Sequence, residues 1–486
     1  MKFTESTIQA IFGHEAAENE GIERLRQYYF KTAAFEKVTA DLPLRILVGH
    51  KGIGKSALFT VAIQEDRDAK QLPILIRPDD IAGIGAGTTD FLQLIRDWKN
   101  GLQEILARKV LDTLGVSHPD DLKGKVTSGA GRTLGFLREV LAPYLSEKVA
   151  LGGVDKAVVG QFLKGAGIDV YVDDIDRGWE GRKEDIQRIS ALINAMRDLS
   201  TDNPGLRFKL SLRSDVYFLV RTSDESTDKI EGSVVWYGWT NHEIFVLLVK
   251  RIETFFGRHV DEAELLKTKQ RDLSRYLDPI MESRFSGAGK WAQAPMYRVL
   301  MSLIRKRPRD LVKLCTLAAR HAADRSGSQI MTDDFRAVFE EYSQGRVQDT
   351  VNEFRSELPD IERLLLNMKP NKVERQTKTG YVYKTDDLVK KLKSILEQGK
   401  FLTRSGRDMD PKDLAHFLYK INFLTARKEL TDGDIERRYF EENRYVSARF
   451  ADFGYDWEIH PAYRWALQPD TVGAILDDLR LSRDDS

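Results

Sequence analysis

A single cysteine, Cys315, stands in 486 residues. One thiol excludes an internal disulfide and any zinc cluster built on cysteines, which fits a reducing cytosol. Charge of one sign has no excess either, because 75 Lys plus Arg balance 75 Asp plus Glu. The chain as a whole therefore lacks the positive field that holds nucleic acid non-specifically, and only local basic patches remain open to that role. No apolar run reaches the ~18 residues that cross a bilayer. The start, Met1-Lys2-Phe3-Thr4-Glu5, has no charged-then-apolar leader. These absences predict a cytoplasmic protein with no membrane partner. Apolar residues make up 42% of the chain, enough at this length for roughly two or three domains with buried cores.

Ile46 to Leu58 reads I-L-V-G-H-K-G-I-G-K-S-A-L, and Gly49, Gly54, Lys55 and Ser56 fit the phosphate-loop spacing G-x-x-x-x-G-K-[ST]. An apolar strand precedes the loop and an apolar helix start follows it, which is the context that spacing requires. Backbone N–H groups can wrap a phosphate only where side chains do not intervene, so Gly49, Gly52 and Gly54 supply close approach. The unpaired N–H groups at the helix start favour the same anion. The loop predicts a nucleoside-triphosphate site formed by Gly49, His50, Lys51, Gly52, Ile53, Gly54, Lys55, Ser56 and Ala57. Lys55 reaches the β- and γ-phosphates, and the Ser56 hydroxyl takes one position on Mg²⁺.

A second stretch, Ile168 to Trp179, reads I-D-V-Y-V-D-D-I-D-R-G-W. Its β-branched, alternating start predicts a buried strand that delivers Asp173 and Asp174 to the crevice where ligands of open α/β sheets sit. Asp173 is assigned to the metal and Asp174 to the attacking water. Asp176 and Arg177 are read as a structural or subunit-contact pair. Further strands are expected at Arg45–Val48, Ile74–Ile76, Phe208–Leu212 and Ser233–Tyr237. Between them fall a helix from Thr89-Asp90 to about Leu114, an insertion over about 117–166, and a helix over Lys183–Leu199. The run I-x-G-x-G-x-G before Thr89 lacks the spacing and acidic partner of a dinucleotide fingerprint and is read as a loop.

The order of G-H-K-G-I-G-K-S, D-D-I-D-R-G-W, L-S-L-R-S-D, W-T-N-H-E-I-F-V-L-L-V-K-R-I and R-P-R-D-L resembles bacterial P-loop ATPases of the additional-strand, AAA+/STAND/KAP-like group, over roughly residues 10 to 345. The resemblance implies an α/β P-loop NTPase core with a parallel sheet of order 5-1-4-3-2, a helical lid, ATP with Mg²⁺ as cofactors, and often a homo-oligomer. It also implies a regulated switch of the kind found in stress or phage-defence loci, with a protein partner or effector. Arg213 then becomes the candidate that senses the γ-phosphate, the alternative being a pair with Asp215 or Asp176. Arg309 of R-K-R-P-R-D-L is the candidate that reaches back to the γ-phosphate, with Arg307 second and a basic surface patch as the alternative. An arginine acting between subunits is sought among Arg177, Arg182 and Arg221. The sequence departs from the AAA+ pattern in carrying Asp174 where many members have Glu.

The domains expected are an ATPase core with N-terminal helices over 1–257, a helical lid and outward-leading connecting helix over 258–357, and a winged-helix-like α+β domain over 358–486. In the last, helices at Asp386–Leu396 and Pro411–Phe423 precede a strand-rich section, Arg438–Trp465. The basic stretch Val373–Lys393, with Tyr381 and Tyr383 interleaved, is read as a surface able to contact DNA phosphates and stack on bases. Winged helices also dock proteins. His460 has no second His or Cys at metal spacing and is read as a core histidine. Three functions compete: a nucleotide-driven switch, a DNA-acting ATPase, and a scaffold that binds ATP without turnover.

Overall fold

The computed structural model describes residues 1–14, 20–69, 71–113, 167–223, 225–287, 289–376, 380–431, 433–442, 454–467, 475 and 481–483. The insertion expected at about 117–166 lies outside the described residues. The chain divides into two compact units, one formed by Lys31–His50 and Lys55–Tyr237, the other by Met1–Phe30, Lys51–Gly54 and Gly238–Ser486. Two N-terminal helices, α1 (Glu5–Phe12) and α2 (Ile22–Tyr28), thus group with the second unit.

The first unit is built on a parallel sheet. After α3 (Ala33–Thr39) come β1 (Leu44–Gly49), α4 (Lys55–Asp68), β2 (Leu72–Ile76), α5 (Phe91–Thr113), β3 (Ile168–Val172), α6 (Lys183–Asp202), β4 (Leu206–Arg213), α7 (Ser214–Ser223) and β5 (Val234–Trp236). All pairs are parallel and the order is β2-β3-β4-β1-β5. Read from its other edge this is the 5-1-4-3-2 order, so the unit has the α/β P-loop NTPase fold. Parallel strands covered on both faces need continuous apolar runs, and Ile46, Leu47 and Val48 are each 0% exposed. One face packs Ile46, Val48, Val170, Val172, Phe208 and Leu210 against Trp98 of α5 and Leu192 and Met196 of α6. Each such side chain contributes about 1.5–3 kcal/mol on burial. On the other face Phe59 of α4 meets Tyr171 edge-on, with ring centres 5.2 Å apart. The helix expected from Asp90 has its cap in place, for the Asp90 carboxylate accepts the Gln93 N–H at 2.7 Å.

In the second unit α8 (Asn241–Phe255) opens on a capping box between Thr240 and Glu243. It is followed by α9 (Met296–Leu303), α10 (Pro308–Asp324) and α11 (Thr332–Phe354). Phe245 of α8 stacks on Tyr297 of α9, with centroids 5.2 Å apart. Pro308 sits at the first helical position of α10, where its missing N–H costs nothing. The segment expected to lead outward after Tyr342 instead continues α11 with buried Ser343, Arg346, Thr350 and Glu353. These four polar side chains face partners inside the unit, while Gln344, Gln348, Asp349 and Asn352 on the same helix face water.

The remainder of this unit is α+β: α12 (Ile361–Asn367), β6 (Val382–Tyr383), α13 (Thr385–Glu397), α14 (Pro411–Lys420), β7 (Leu424–Glu429), β8 (Ile435–Arg438) and β9 (Asp456–Ile459). These strands form an antiparallel sheet of order β6-β9-β7-β8. Strand structure therefore begins with the short β6 at Val382 and resumes at Leu424, both ahead of the expected Arg438. Tyr381 and Tyr383 are each only 5% exposed, which corrects the reading that placed them on a base-stacking surface. Tyr383 donates its hydroxyl to the Gly380 carbonyl at 2.9 Å, and the Arg464 guanidinium lies 4.7 Å from the Tyr381 ring centre. Among the described residues no helix is long and apolar enough to cross a membrane.

Candidate functional site

The sheet places the site's groups by register. Gly49 at the end of β1 is the partner of Arg213 at the end of β4, and Val172 at the end of β3 is the partner of Leu210. The carboxyl ends of these parallel strands are where the phosphate loop, Asp173 and Arg213 emerge. Gly52 and Gly54 have φ of 77° and 104°, a backbone region that side chains disfavour. The loop then runs into α4 at Lys55, whose first-turn N–H groups have no helical partner.

Lys55 folds back on the loop, its ammonium donating to the Gly49 carbonyl at 2.8 Å and the His50 carbonyl at 3.1 Å. His50 is 4% exposed, and its Nδ1 lies 3.2 Å from the Ser214 hydroxyl just after β4. Asp173 accepts a hydrogen bond from Ser211 Oγ, which fixes its carboxylate at the edge of the strand ends. Asp174 has φ of 58° and is exposed, with Arg177 Nε 3.8 Å from its carboxylate. Aspartate tolerates that left-handed conformation better than most residues. Arg213 donates to Asp215 through Nε at 3.1 Å and Nη2 at 2.6 Å, and Nε lies 3.4 Å from Asp176. Both alternative partners weighed from sequence are thus in reach of one guanidinium.

Asp176, read from sequence as half of a structural or subunit-contact pair with Arg177, is the buried acid of this cluster. It is 8% exposed, and its Oδ2 has the Arg213 ion pair but no hydrogen bond. Burial pushes its carboxyl up to about 6; Arg213 and Lys55 pull it down, and Asp215 and Asp174 add to the rise. A carboxyl raised in the folded state binds its proton more tightly there than in the unfolded chain. Stability is therefore present in full at low pH and falls as pH rises from about 4 to about 6. Asp176→Asn is expected to match the wild type in urea denaturation near pH 4 and to exceed it at pH 8 by up to about 3 kcal/mol. A variant less stable than the wild type at pH 8 would show that Asp176 acts as a net stabilising partner of Arg213.

In the other unit, Trp239 Nε1 donates to the Ile53 carbonyl at 2.8 Å. A Cβ added at Gly52 would stand 3.2 Å from Cδ of Arg309, so that half-buried arginine lies against the loop tip. Arg307 is buried and donates to the Lys51 carbonyl at 3.3 Å and to Glu353 at 3.0 Å. Glu353 has no local signal in the sequence, and Trp239 carries only the mark of a helix start. Arg177 and Arg182 are exposed beside Asp174 and Glu180, and Arg221 pairs with Glu231 at 2.9 Å. His460 is fully buried, accepts the Ala462 N–H at 3.1 Å through Nδ1, and lies 2.9 Å from the Tyr439 hydroxyl through Nε2. Burial, with Arg437 and Arg305 nearby, holds it well below the usual histidine range.

Among the described residues no group of three or more His, Cys, Asp or Glu is placed to hold a metal. A hard divalent ion that keeps waters and substrate oxygens needs only one or two protein ligands, and the oriented Asp173 carboxylate with the Ser56 hydroxyl suits that mode.

Residues 243–351 match a family described as the FunZ-associated C-terminal helical domain. The chain is similar to a putative transposon gamma-delta 80.3 kDa protein of Escherichia coli K12, at 23% identity over 98% of this chain and 70% of that protein. Among solved structures it is similar to a Walker-type ATPase of Pyrococcus abyssi, at 13% identity over 94% of this chain and 96% of the other, with a TM-score of 0.41. It is also similar to the ORC2 protein of Aeropyrum pernix, at 10% identity over 89% and 87%, with a TM-score of 0.39. At such scores the fold assignment stands on the strand order and the phosphate loop of this chain.

Proposed function

We propose that the protein is a Mg²⁺-dependent ATPase that works as a nucleotide-driven switch. The observation that carries this reading is the emergence of the glycine loop with Lys55, the Ser211-oriented Asp173 and Arg213 at the carboxyl ends of β1, β3 and β4. Gly49 to Ala57 hold the phosphates, and Ser56 and Asp173 hold the metal. Held by Ser56 and Asp173, Mg²⁺ would supply positive charge to neutralise the phosphates. Asp174 orients the attacking water, Arg213 senses the γ-phosphate, and Arg309, which lies against Gly52 of the loop, is the second arginine assigned to that phosphate. A homo-oligomer, a protein effector and a regulatory or defence role belong to the same reading and rest on the family resemblance.

A DNA-acting ATPase is the second reading. It is favoured by the transposon named for the relative and by the C-terminal succession of helix, strand, two helices and strands, which suits a winged-helix-like domain. Steady-state ATP turnover with Mg²⁺ tests both, using the wild type and Asp174→Asn with and without duplex DNA. Turnover that falls at least ~100-fold in the variant is expected, since a positioned base is worth about 10²–10⁴ in rate. A DNA-stimulated, salt-sensitive rate moves the second reading ahead. Binding of ATP with no turnover in either condition overturns hydrolysis and leaves the scaffold.

A further inference from the structure

Four of the buried polar residues of α11, Ser343, Arg346, Thr350 and Glu353, lie at intervals of three, four and three. Such spacing puts them in one stripe along a single face of the helix. They are 0%, 3%, 0% and 2% exposed, so each group must find a partner inside the protein. At the start of the stripe Ser343 Oγ accepts the Ala466 N–H at 2.9 Å. In the middle, Thr350 Oγ1 lies 3.0 Å from the Tyr463 hydroxyl and accepts from Arg305 Nη1 at 3.0 Å, while Arg346 donates to Asp310 at 2.5 Å. At the far end Glu353 Oε1 accepts the Lys51 N–H at 3.2 Å.

The Lys51 peptide is thereby bracketed. Its N–H goes to Glu353, its carbonyl accepts from Arg307, and Arg307 and Glu353 pair with each other at 3.0 Å. Arg307 also keeps two buried donors, Nε and Nη2, without a hydrogen-bond partner. Lys51–Gly54 and all of α11 belong to the same compact unit, as do Tyr463 and Ala466. One helix thus carries, on one face, hydrogen bonds to the tip of the phosphate loop and to the segment that follows β9.

We propose that Glu353 is a positioning residue for the phosphate loop, and that the polar stripe of α11 couples nucleotide binding to the C-terminal segment around Tyr463 and Ala466. This rests on the nucleotide-binding reading of the loop and adds the route by which occupancy is communicated. When the loop closes on a triphosphate, the Lys51 peptide, Glu353 and Arg307 hold or shift together, because Glu353 and Arg307 are buried and separating that pair leaves a charge without its counter-ion. A shift at Glu353 moves Thr350 one turn away, and with it the Tyr463 contact. Coupling is reciprocal: whatever binds the C-terminal segment changes nucleotide affinity by the same factor.

The test uses the full chain, a fluorescent ATP analogue and hydrogen-exchange mass spectrometry, with Lys55→Ala as the control that removes binding. In the wild type, ATP is expected to increase protection both at residues 46–56 and at residues 456–467. In Glu353→Gln, ATP affinity falls about tenfold, and at saturating ATP the protection appears at 46–56 only. Ser343→Ala removes one hydroxyl far from the loop, so it serves where Glu353→Gln folds poorly. It keeps ATP affinity within about threefold and loses the added protection at 456–467. Full protection at 456–467 in saturated, folded variants overturns the coupling. A wild type that binds ATP without any change at 456–467 also overturns it. Failure of the wild type to bind ATP at all sinks the nucleotide reading itself, a distinct result.

Discussion

Lys55→Ala is expected to lower the affinity for Mg-ATP by about 100- to 10,000-fold while leaving the fold intact. The ammonium is held by two carbonyls of its own loop, at 2.8 Å from Gly49 and 3.1 Å from His50. It is therefore stationed at the loop before any phosphate arrives, and little side-chain freedom is lost on binding. Two charge-assisted hydrogen bonds to phosphate oxygens, each worth about 1.5–3 kcal/mol net, set the size of the loss. Folding is spared because the lysine is part-exposed and the carbonyls it leaves can be hydrated. Its removal also takes away one of the cations that pull the Asp176 carboxyl down, so that group moves further up. Calorimetric titration of both proteins with Mg-ATP reads the first effect. A dissociation constant within threefold of the wild type would remove the loop from the site.

The core of the sheet unit was legible because its signals are local. A strand, a glycine loop and a helix start occur within Leu44–Asp68, and Asp173 follows directly on five buried residues of β3. The C-terminal sheet was less so: β7 ends in Arg427-Lys428-Glu429, and those charged letters hide a strand whose first half, Leu424-Thr425-Ala426, is fully buried. Tyr381 and Tyr383 sit among lysines in the sequence, yet burial decides their role. Along α11 the letters are polar, so a reading by composition sends the helix outward. Glu353 meets Lys51 across 302 residues of chain, a pairing that no local pattern encodes. Asp174 and Asp176 are equally acidic as letters, and only the turn after β3 exposes one and buries the other beside Arg213.

The same limit applies to the largest stability effect, which centres on Asp310. Its position in the first turn of α10 suggests a dipole contact worth about 0.3–1 kcal/mol. In the structure it is 1% exposed and accepts from Arg305 Nε at 2.7 Å and Nη2 at 2.9 Å, and from Arg346 Nη1 at 2.5 Å. Burial alone would raise its carboxyl, but Arg305 and Arg346 hold it well below the usual carboxylate range. Its contribution is therefore present in full above about pH 4 and is lost progressively as pH falls below that. Asp310→Asn keeps the shape and removes the charge, leaving two buried guanidinium groups without their shared counter-ion. Breaking a buried pair in this way costs about 3–5 kcal/mol, a large part of the roughly 5–15 kcal/mol that holds a typical domain. Urea denaturation at pH 7, followed by tryptophan fluorescence, should show a transition moved to much lower urea. A loss under about 1 kcal/mol would mean that water or a neighbouring acid replaces the carboxylate. The triple variant Arg305→Met, Asp310→Leu, Arg346→Met separates charge pairing from packing, because apolar replacement of a whole buried triad is often neutral or stabilising. Recovery of stability in the triple variant is expected, and with it loss of the Arg305 bonds to Thr350 and Tyr463. Such a protein would be folded but stripped of the middle of the α11 stripe, so the cluster would serve communication more than stability.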